Sequence, residues 1–440
     1  VADKPSIGWV ELAPNDGTHY YGEERPKYFD TTNGVKNTSL LHAVKVKALT
    51  PGTTYRYRIY SQEVLSHEGI NVIYGRVAAS DVYKKNALTF TTCDPNKKET
   101  SFVMINDIHG RENIITKLLN NANYKDKDLI IFNGDMVSEF KDEQTIFNGF
   151  MKESIDLFAS EKPMYYARGN HETRGEFATS FQKYFSPKEP FLYYLFRQGP
   201  VCFIMLDTGE DKPDSDIEYS GITDYDGYRT DQVEWMKELY KNEDFKQAKF
   251  KVVIAHMPPS ADLNIWHGQK DVLKKFVPIL NELGVDLMLC GHLHRNKYEE
   301  PSAGIKFPVL VNSNNSVVSV ETNGDQMNLE VLDLDGKVVT KKSYNGKVIF
   351  IIQCYTSHKC DYSDRDPGNR TCLILRKNIN KNTQETDIWH FCSYLSNKHL
   401  IKGCRLNFVT GIEPTPFCFP AVCPEFPRFH GAINTEHAGN

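Results

Sequence analysis

Up to about residue 95 the chain alternates short apolar runs with turn residues. Ser6–Leu12, Ala43–Leu49, Thr54–Tyr60 and Leu88–Thr92 have strand length and predict an all-β region. Near residue 100 the pattern changes. Phe102–Ile105, Leu129–Phe132, Met164–Ala167, Cys202–Leu206, Lys251–Ala255, Leu287–Cys290 and Val309–Val311 are short apolar runs of the kind carried by strands covered on both faces. Amphipathic stretches lie between several of them: Glu112–Asn123, Gln144–Phe158, Thr230–Lys241 and Lys270–Leu283 predict helices. Alternating strands and helices predict an α/β domain, in which ligands bind outside the carboxyl ends of the strands. Leu329–Thr340 reads as a hairpin turning at Asp335-Gly336. After the apolar run Val348–Ile352 neither period persists, proline clusters at 414–427, and no fold is predicted.

Length and composition narrow this picture. With 440 residues the chain has room for two to three domains, divided here at 1–97, 98–347 and 348–440. A net charge of −5 argues against nucleic-acid binding driven by bulk positive charge. There is no run of 18 apolar residues, so no membrane span is expected. The chain opens on Val1 with no visible signal peptide, so it reads as a processed, trimmed or partial chain that could have been exported before cleavage. Three of the ten cysteines, Cys93, Cys202 and Cys290, lie before residue 350. Cys202 and Cys290 sit within apolar runs and read as small buried hydrophobes, so the main body is not a disulfide scaffold. The other seven (Cys354, Cys360, Cys372, Cys392, Cys404, Cys418, Cys423) have spacings that fit no zinc template. Residues 348–440 are therefore read as a poorly ordered accessory extension.

Candidate chemistry gathers where the apolar runs end. Asp107-Ile108-His109, Gly134-Asp135, Gly169-Asn170-His171-Glu172, His256 and Gly291-His292-Leu293-His294 each follow a predicted strand. Each is weak alone. Jointly, neighbouring parallel strands would bring all five tips to one edge of the sheet. Carboxylate oxygen and imidazole nitrogen suit hard and borderline divalent ions, and a carboxylate such as Asp135 can bridge two of them. Asp107 and His109, like His292 and His294, are two apart, so a sharp turn can aim both side chains at one ion. No cysteine falls in the set, which argues against a closed finger-type structural zinc.

The ordered set D-x-H, G-D, G-N-H-E, a strand-terminal His and G-H-x-H, over about residues 100–340, resembles the calcineurin-like metallophosphoesterase superfamily. That resemblance implies a four-layer α/β/β/α domain and two divalent metal ions (Mn, Fe or Zn). It implies one ion held by Asp107, His109, Asp135 and His294, and the second by Asp135, Asn170, His256 and His292. A hydroxide bridging the ions would be the nucleophile. His171 would protonate the leaving group or stabilise the transition state. Arg168 could contact phosphate oxygens, and Glu172 would orient a ligand or His171. Separately, Leu49–Tyr57, with its Pro51-Gly52 turn, resembles the loop and strand of fibronectin type III-like sandwiches. An N-terminal all-β sandwich of that type ahead of the catalytic domain is similar to the purple acid phosphatase layout. The motifs depart from that group, with His109 where it has Gly and Ser138 where it has a Tyr ligand. The serine/threonine protein phosphatases are the second resemblance, but their second-motif phosphate-binding Arg is missing from Gly134–Glu139.

The expected activity is hydrolysis of a small-molecule phosphate ester, with monoesters favoured. The alternatives are a phosphodiesterase or nucleotidase, then a phosphoprotein phosphatase, and outside catalysis a binding protein on a degenerate scaffold. By family resemblance the setting would be bacterial and exported. The long segment between Val201–Leu206 and Thr230–Lys241 holds Asp207, Glu210, Asp211 and several further acids with Tyr219, Tyr225 and Tyr228. It reads as a solvated acidic surface, or as a lid whose tyrosines stack on substrate. Pro258 to His267 forms a second candidate rim, and Asn37 and Asn369 open glycosylation sequons.

Overall fold

The structure is a computed structural model that describes residues 1–16, 25–81, 86–185, 190–260 and 265–346, and two short strands, Ile351–Ile352 and Leu373–Ile374, by backbone alone. Val1–Gly346 forms one compact unit and Lys347–Asn440 another. The seven C-terminal cysteines, the 414–427 prolines and Asn369 lie outside the described residues.

The N-terminal region contributes a six-stranded sheet, in which Ser6–Pro14 lies beside Lys27–Phe29 and Thr54–Glu68, and Asn71–Ala79 forms an edge. The Pro51-Gly52 turn leads into Thr54–Glu68 as expected. Tyr55 and Tyr57 both pack on Phe90, with ring centroids 5.8 and 5.7 Å away. Ala43–Leu49, expected as a strand, is irregular: the left-handed backbone at Ala48 (φ 59°) breaks the extension that its alternating side chains suggest.

Two further six-stranded sheets build the α/β part. One runs in the order Met164–Ala167, Leu129–Asn133, Thr100–Ile105, Ser316–Thr322, Gln326–Asp333, Val338–Asn345. The other runs Tyr194–Gln198, Val201–Met205, Phe250–Ile254, Leu287–Cys290, Val309–Val311, Lys297–Glu299. Successive side chains on a strand point to opposite faces, and both faces here are covered. Phe102 and Met104 turn inward to meet Phe203, Val252 and Leu289 of the other sheet, while Val103 and Ile105 turn outward under Ile115–Asn121 and the 143–159 helical segment. Outside the second sheet, Tyr225–Lys237 and His267–Leu283 cover Ile204, Val253 and Met288. The layers are helix, sheet, sheet, helix, as expected. The five chemistry-bearing tips, however, do not share one sheet edge. Three follow strands of the first sheet and two follow strands of the second. A hairpin between Tyr194–Gln198 and Val201–Met205 starts that second sheet.

Candidate metal centre

Both sheets end their parallel strands on the same side, and the turns beyond them are unusual. Nine non-glycine residues have positive φ among the described residues, and five are Asp107, His109, Asp135, His292 and His294. Left-handed backbone costs free energy for residues with a Cβ and clusters where function requires it. The two-apart pairs use it as the spacing suggested, with left-handed residues flanking Ile108 and Leu293, so that both members face one point. Gly134 permits the turn before Asp135: its φ is 81°, and a Cβ there would lie 2.4 Å from His256 Nδ1.

The side chains converge in two groups that meet at Asp135. Asp107, His109 and His294 have their nearest ligating atoms within 4.8 Å of one another, and so do Asp135, His256 and His292. Asp135 also groups with His109 and His171. Asn170 Oδ1 lies 3.1 Å from His292 Nδ1, which adds the amide to the second group.

The donor chemistry asks for cations. His256 Nδ1 sits 2.7 Å from the Asn133 carbonyl, which can only accept, so Nδ1 carries the proton. In the neutral ring, Nε2 is then a bare acceptor. It faces Asp135 Oδ2 at 3.1 Å and Asp107 Oδ1 at 3.9 Å. Both His256 Nε2 and Asp107 Oδ1 are buried without a hydrogen-bond partner. On the other side, His109 Nε2 and His294 Nε2 are 3.1 Å apart, and His294 Nε2 is 3.2 Å from Asp107 Oδ1. Buried acceptors converging on acceptors is the arrangement that divalent ions resolve. The residues present therefore fit two such ions.

In the metal-free centre the buried carboxylates draw positive charge onto one ring, a charge that a bound cation would replace. Burial opposes charging His256, but Asp135 and Asp107 outweigh it and push the ring up to about 10. Burial also opposes charge on Asp135, yet His256 and His171 hold its carboxyl below the usual range. Burial pulls His109 and His292 down to about 4 each, so they stand neutral at pH 7, as ligands must. A consequence follows for the metal-free protein. Groups with lowered folded values (His109, His292, Asp135) remove stability as pH falls. His256, with a raised value, contributes stability that is full below about 6.5 and is lost as pH rises toward 10. The chelated protein should therefore melt highest near pH 6–7 and lower at both pH 5 and pH 9. Thermal unfolding in chelator across that range measures this.

A shell of buried polar groups holds the ligands. Glu172 is fully buried and accepts hydrogen bonds from the backbone N–H of Asp135 (2.9 Å), Met136 (2.8 Å), Val137 (3.3 Å) and Gly169 (2.9 Å), and from Tyr166 OH (2.7 Å). It thus orients the Asp135 loop rather than the His171 ring. His171 donates its backbone N–H to Asp135 Oδ1 (2.9 Å) and Nδ1–H to the Ser138 carbonyl (2.7 Å). Its Nε2 points toward the centre, 3.9 Å from Asp135 Oδ2. Asn106 and Asn312 form a buried amide pair, and Asn106 donates to Asp107 Oδ2. Sequence reading missed Asn106, Asn133, Asn312 and the Ser138 carbonyl. The signal existed, since each asparagine closes a buried strand as the named motifs do.

Arg168, expected as a phosphate contact, is engaged in a buried ion pair. Its guanidinium is buried against Asp207 at 2.8 Å, near the Phe181 and Tyr225 rings, so its charge is already paired within the protein. Arg168→Met should thus lower stability, by about 3–5 kcal/mol for a broken buried pair, and leave KM unchanged; denaturant midpoints and steady-state kinetics check both. The acidic segment is corrected too. Asp207, Glu210 and Asp211 are buried, and Arg174 pairs with the latter two. Tyr219 is buried with its OH on Glu210, so it is not a stacking platform. His267 begins a helix and lies 2.8 Å from Asp226, while residues 261–264 of the expected rim lie outside the described residues. Asp226, His267 and Asp271 form one more acidic-imidazole group, but Arg229 and Lys275 already neutralise it.

Residues 100–296 match the family described as calcineurin-like phosphoesterase. Two curated plant proteins of Arabidopsis thaliana are similar over part of their length. Purple acid phosphatase 21 is 23% identical over 303 residues, 64% of this chain and 60% of that protein. Purple acid phosphatase 18 is 28% identical over 154 residues, 32% of each. The chain thus spans less than two thirds of either relative. Among solved structures, purple acid phosphatase PPD1 from yellow lupin seeds shares the fold, with a TM-score of 0.54 at 14% identity over 78% of this chain and 70% of that one. The match over residues 100–296, with the two plant relatives, supports the metallophosphoesterase superfamily for that part of the chain. Among the described residues no helix is long and apolar enough to cross a membrane.

Proposed function

We propose that the chain is a metal-dependent hydrolase of small-molecule phosphate esters, with monoesters as its preferred class. One observation carries the reading: Asp107 Oδ1 and His256 Nε2, each buried without a hydrogen-bond partner, face one another across 3.9 Å beside Asp135. In this reading Asp107, His109, Asp135 and His294 hold one divalent ion, and Asp135, Asn170, His256 and His292 hold the other. Two such ions would supply a nucleophile from water at neutral pH and offset the charge on the phosphoryl group. The chain's own groups do the rest. Asp135 stands between the two ligand sets, and Glu172 keeps its loop from turning away. His171, fixed through Nδ1–H on the Ser138 carbonyl, would give the leaving oxygen the Nε2 proton of its doubly protonated ring and return to the neutral ring. Ser138 brings a hydroxyl near His109 Nδ1 (3.3 Å) and no phenolate, so the loaded protein should be colourless and its ions divalent.

The test is metal analysis together with turnover of an aryl phosphate. Two equivalents of Mn, Fe or Zn and measurable hydrolysis are expected. His171→Ala should keep both equivalents and lose roughly 10²–10⁴ in kcat, the range of a positioned proton donor. Unchanged turnover in that variant would remove His171 from the mechanism, and a metal-free, inactive chain would remove the reading.

A further inference from the structure

We infer that Glu210 is a positioning residue for His171, an inference that rests on the phosphoesterase reading above. Glu210 belongs to the second sheet, in the loop after Val201–Met205, whereas His171 belongs to the first. It is 1% exposed, and the hydrogen bonds of its carboxylate go to the turn that carries His171 or to its own loop. Oε1 accepts from Arg174 Nε at 2.7 Å and lies 2.7 Å from the Thr173 hydroxyl. Oε2 accepts from Arg174 Nη2 at 2.9 Å, from Tyr219 OH at 2.6 Å and from the Asp211 N–H at 3.2 Å.

The position of Arg174 turns this clamp into a control on His171. The Arg174 N–H donates to the His171 carbonyl at 3.3 Å, and the Arg174 carbonyl accepts from the Phe140 N–H at 2.8 Å. Arg174 therefore touches both the turn that carries His171 and the segment after Asp135. The His171 ring is held by those same two pieces, through its backbone N–H on Asp135 and its Nδ1–H on Ser138. Where the turn lies against the Asp135 segment decides where Nε2 points. A bidentate carboxylate–guanidinium pair fixes direction as well as distance. Without the carboxylate, Arg174, Tyr219 and Thr173 lose a shared acceptor, and the turn loses its anchor on the second sheet. Small misplacements of a reacting group are costly even when nothing that touches substrate has changed.

A simple stabilising role would make the same contacts, so the test must separate the two. Glu210→Gln, Glu210→Asp, His171→Ala and the Glu210→Gln/His171→Ala double variant are loaded with Mn and assayed on an aryl and an alkyl phosphate. Glu210→Gln should lower kcat about 10- to 100-fold with KM nearly constant. The loss should be larger on the alkyl ester, whose poor leaving group depends more on the proton donor. Glu210→Asp should recover part of it, and it serves as the tested variant if the Gln protein does not fold. In the His171→Ala background Glu210→Gln should cost less than roughly 2-fold. The same fold-loss in both backgrounds overturns the inference. A second readout needs no turnover: in the diamagnetic Zn-loaded protein, the imidazole 15N signal of His171, assigned by its absence in His171→Ala, should move in folded Glu210→Gln. An unmoved signal also overturns the inference. If His171→Ala alone left turnover intact, the proton-donor reading would fail, and the imidazole signal would still decide whether Glu210 positions the ring.

Discussion

Asp135→Ala should cut turnover sharply and strip most of the metal from the centre. Asp135 is the one carboxylate that groups with His109 on one side and with His256 and His292 on the other. Its removal takes a ligand from both ions at once. It also strands the His171 backbone N–H, which donates to Oδ1, and leaves His256, fully buried, without its nearest carboxylate. Several kcal/mol of transition-state stabilisation are at stake, so kcat should fall on the order of 10³-fold or more. Metal analysis should give less than one equivalent where the parent holds two. Asp107→Ala differs in kind, because Asp107 groups with His109 and His294 alone, so that variant should keep the second ion. Retention of both ions by Asp135→Ala would show that the carboxylate is not shared.

Glu172→Gln, conservative in size, should be among the most destabilising changes in the chain. The carboxylate accepts from five donors, three at Oε1 and two at Oε2. An amide keeps one acceptor. Whichever way it flips, its NH₂ end meets backbone N–H groups that need an acceptor. Unpaired buried donors and the loss of a charged acceptor cost about 3–5 kcal/mol together. Because four of those donors hold the Asp135 loop and Gly169, metal content should fall with stability. Denaturant unfolding with and without Mn measures both effects. A variant as stable as the parent would mean the loop is held by something else.

Much of the site was legible in the sequence, because its chemistry is written in short local words. Asp-x-His and His-x-His need only a turn, and Asp and His tolerate left-handed backbone well enough to make it. Strand ends such as Ala167 and Cys290 were marked by the end of a continuous apolar run. What the residues around a position could not reveal was the identity of distant partners. A run such as Val252–Ile254 looks the same whether its neighbours lie in one sheet or two. The opening of the second sheet was hidden because Tyr194–Gln198, with its Tyr, Arg and Gln, lacks the apolar continuity of its neighbours. Arg168 stands beside the motif in sequence, yet its charge is spent on Asp207, 39 residues on. The acids after residue 206 read as solvated surface for the same reason: nothing local to Glu210 reveals Arg174. The Gln144–Phe158 helix was foreseen, but not its passage through two wide π turns, Phe147–Met151 and Ile155–Ala159.

Anomalous diffraction from crystals of the Mn-loaded protein tests the central claim most directly. Two peaks should appear roughly 3.5–4 Å apart, one beside Asp107, His109 and His294, the other beside Asn170, His256 and His292, with Asp135 between them. A single peak, or ions bound instead at Asp226, His267 and Asp271, would contradict it.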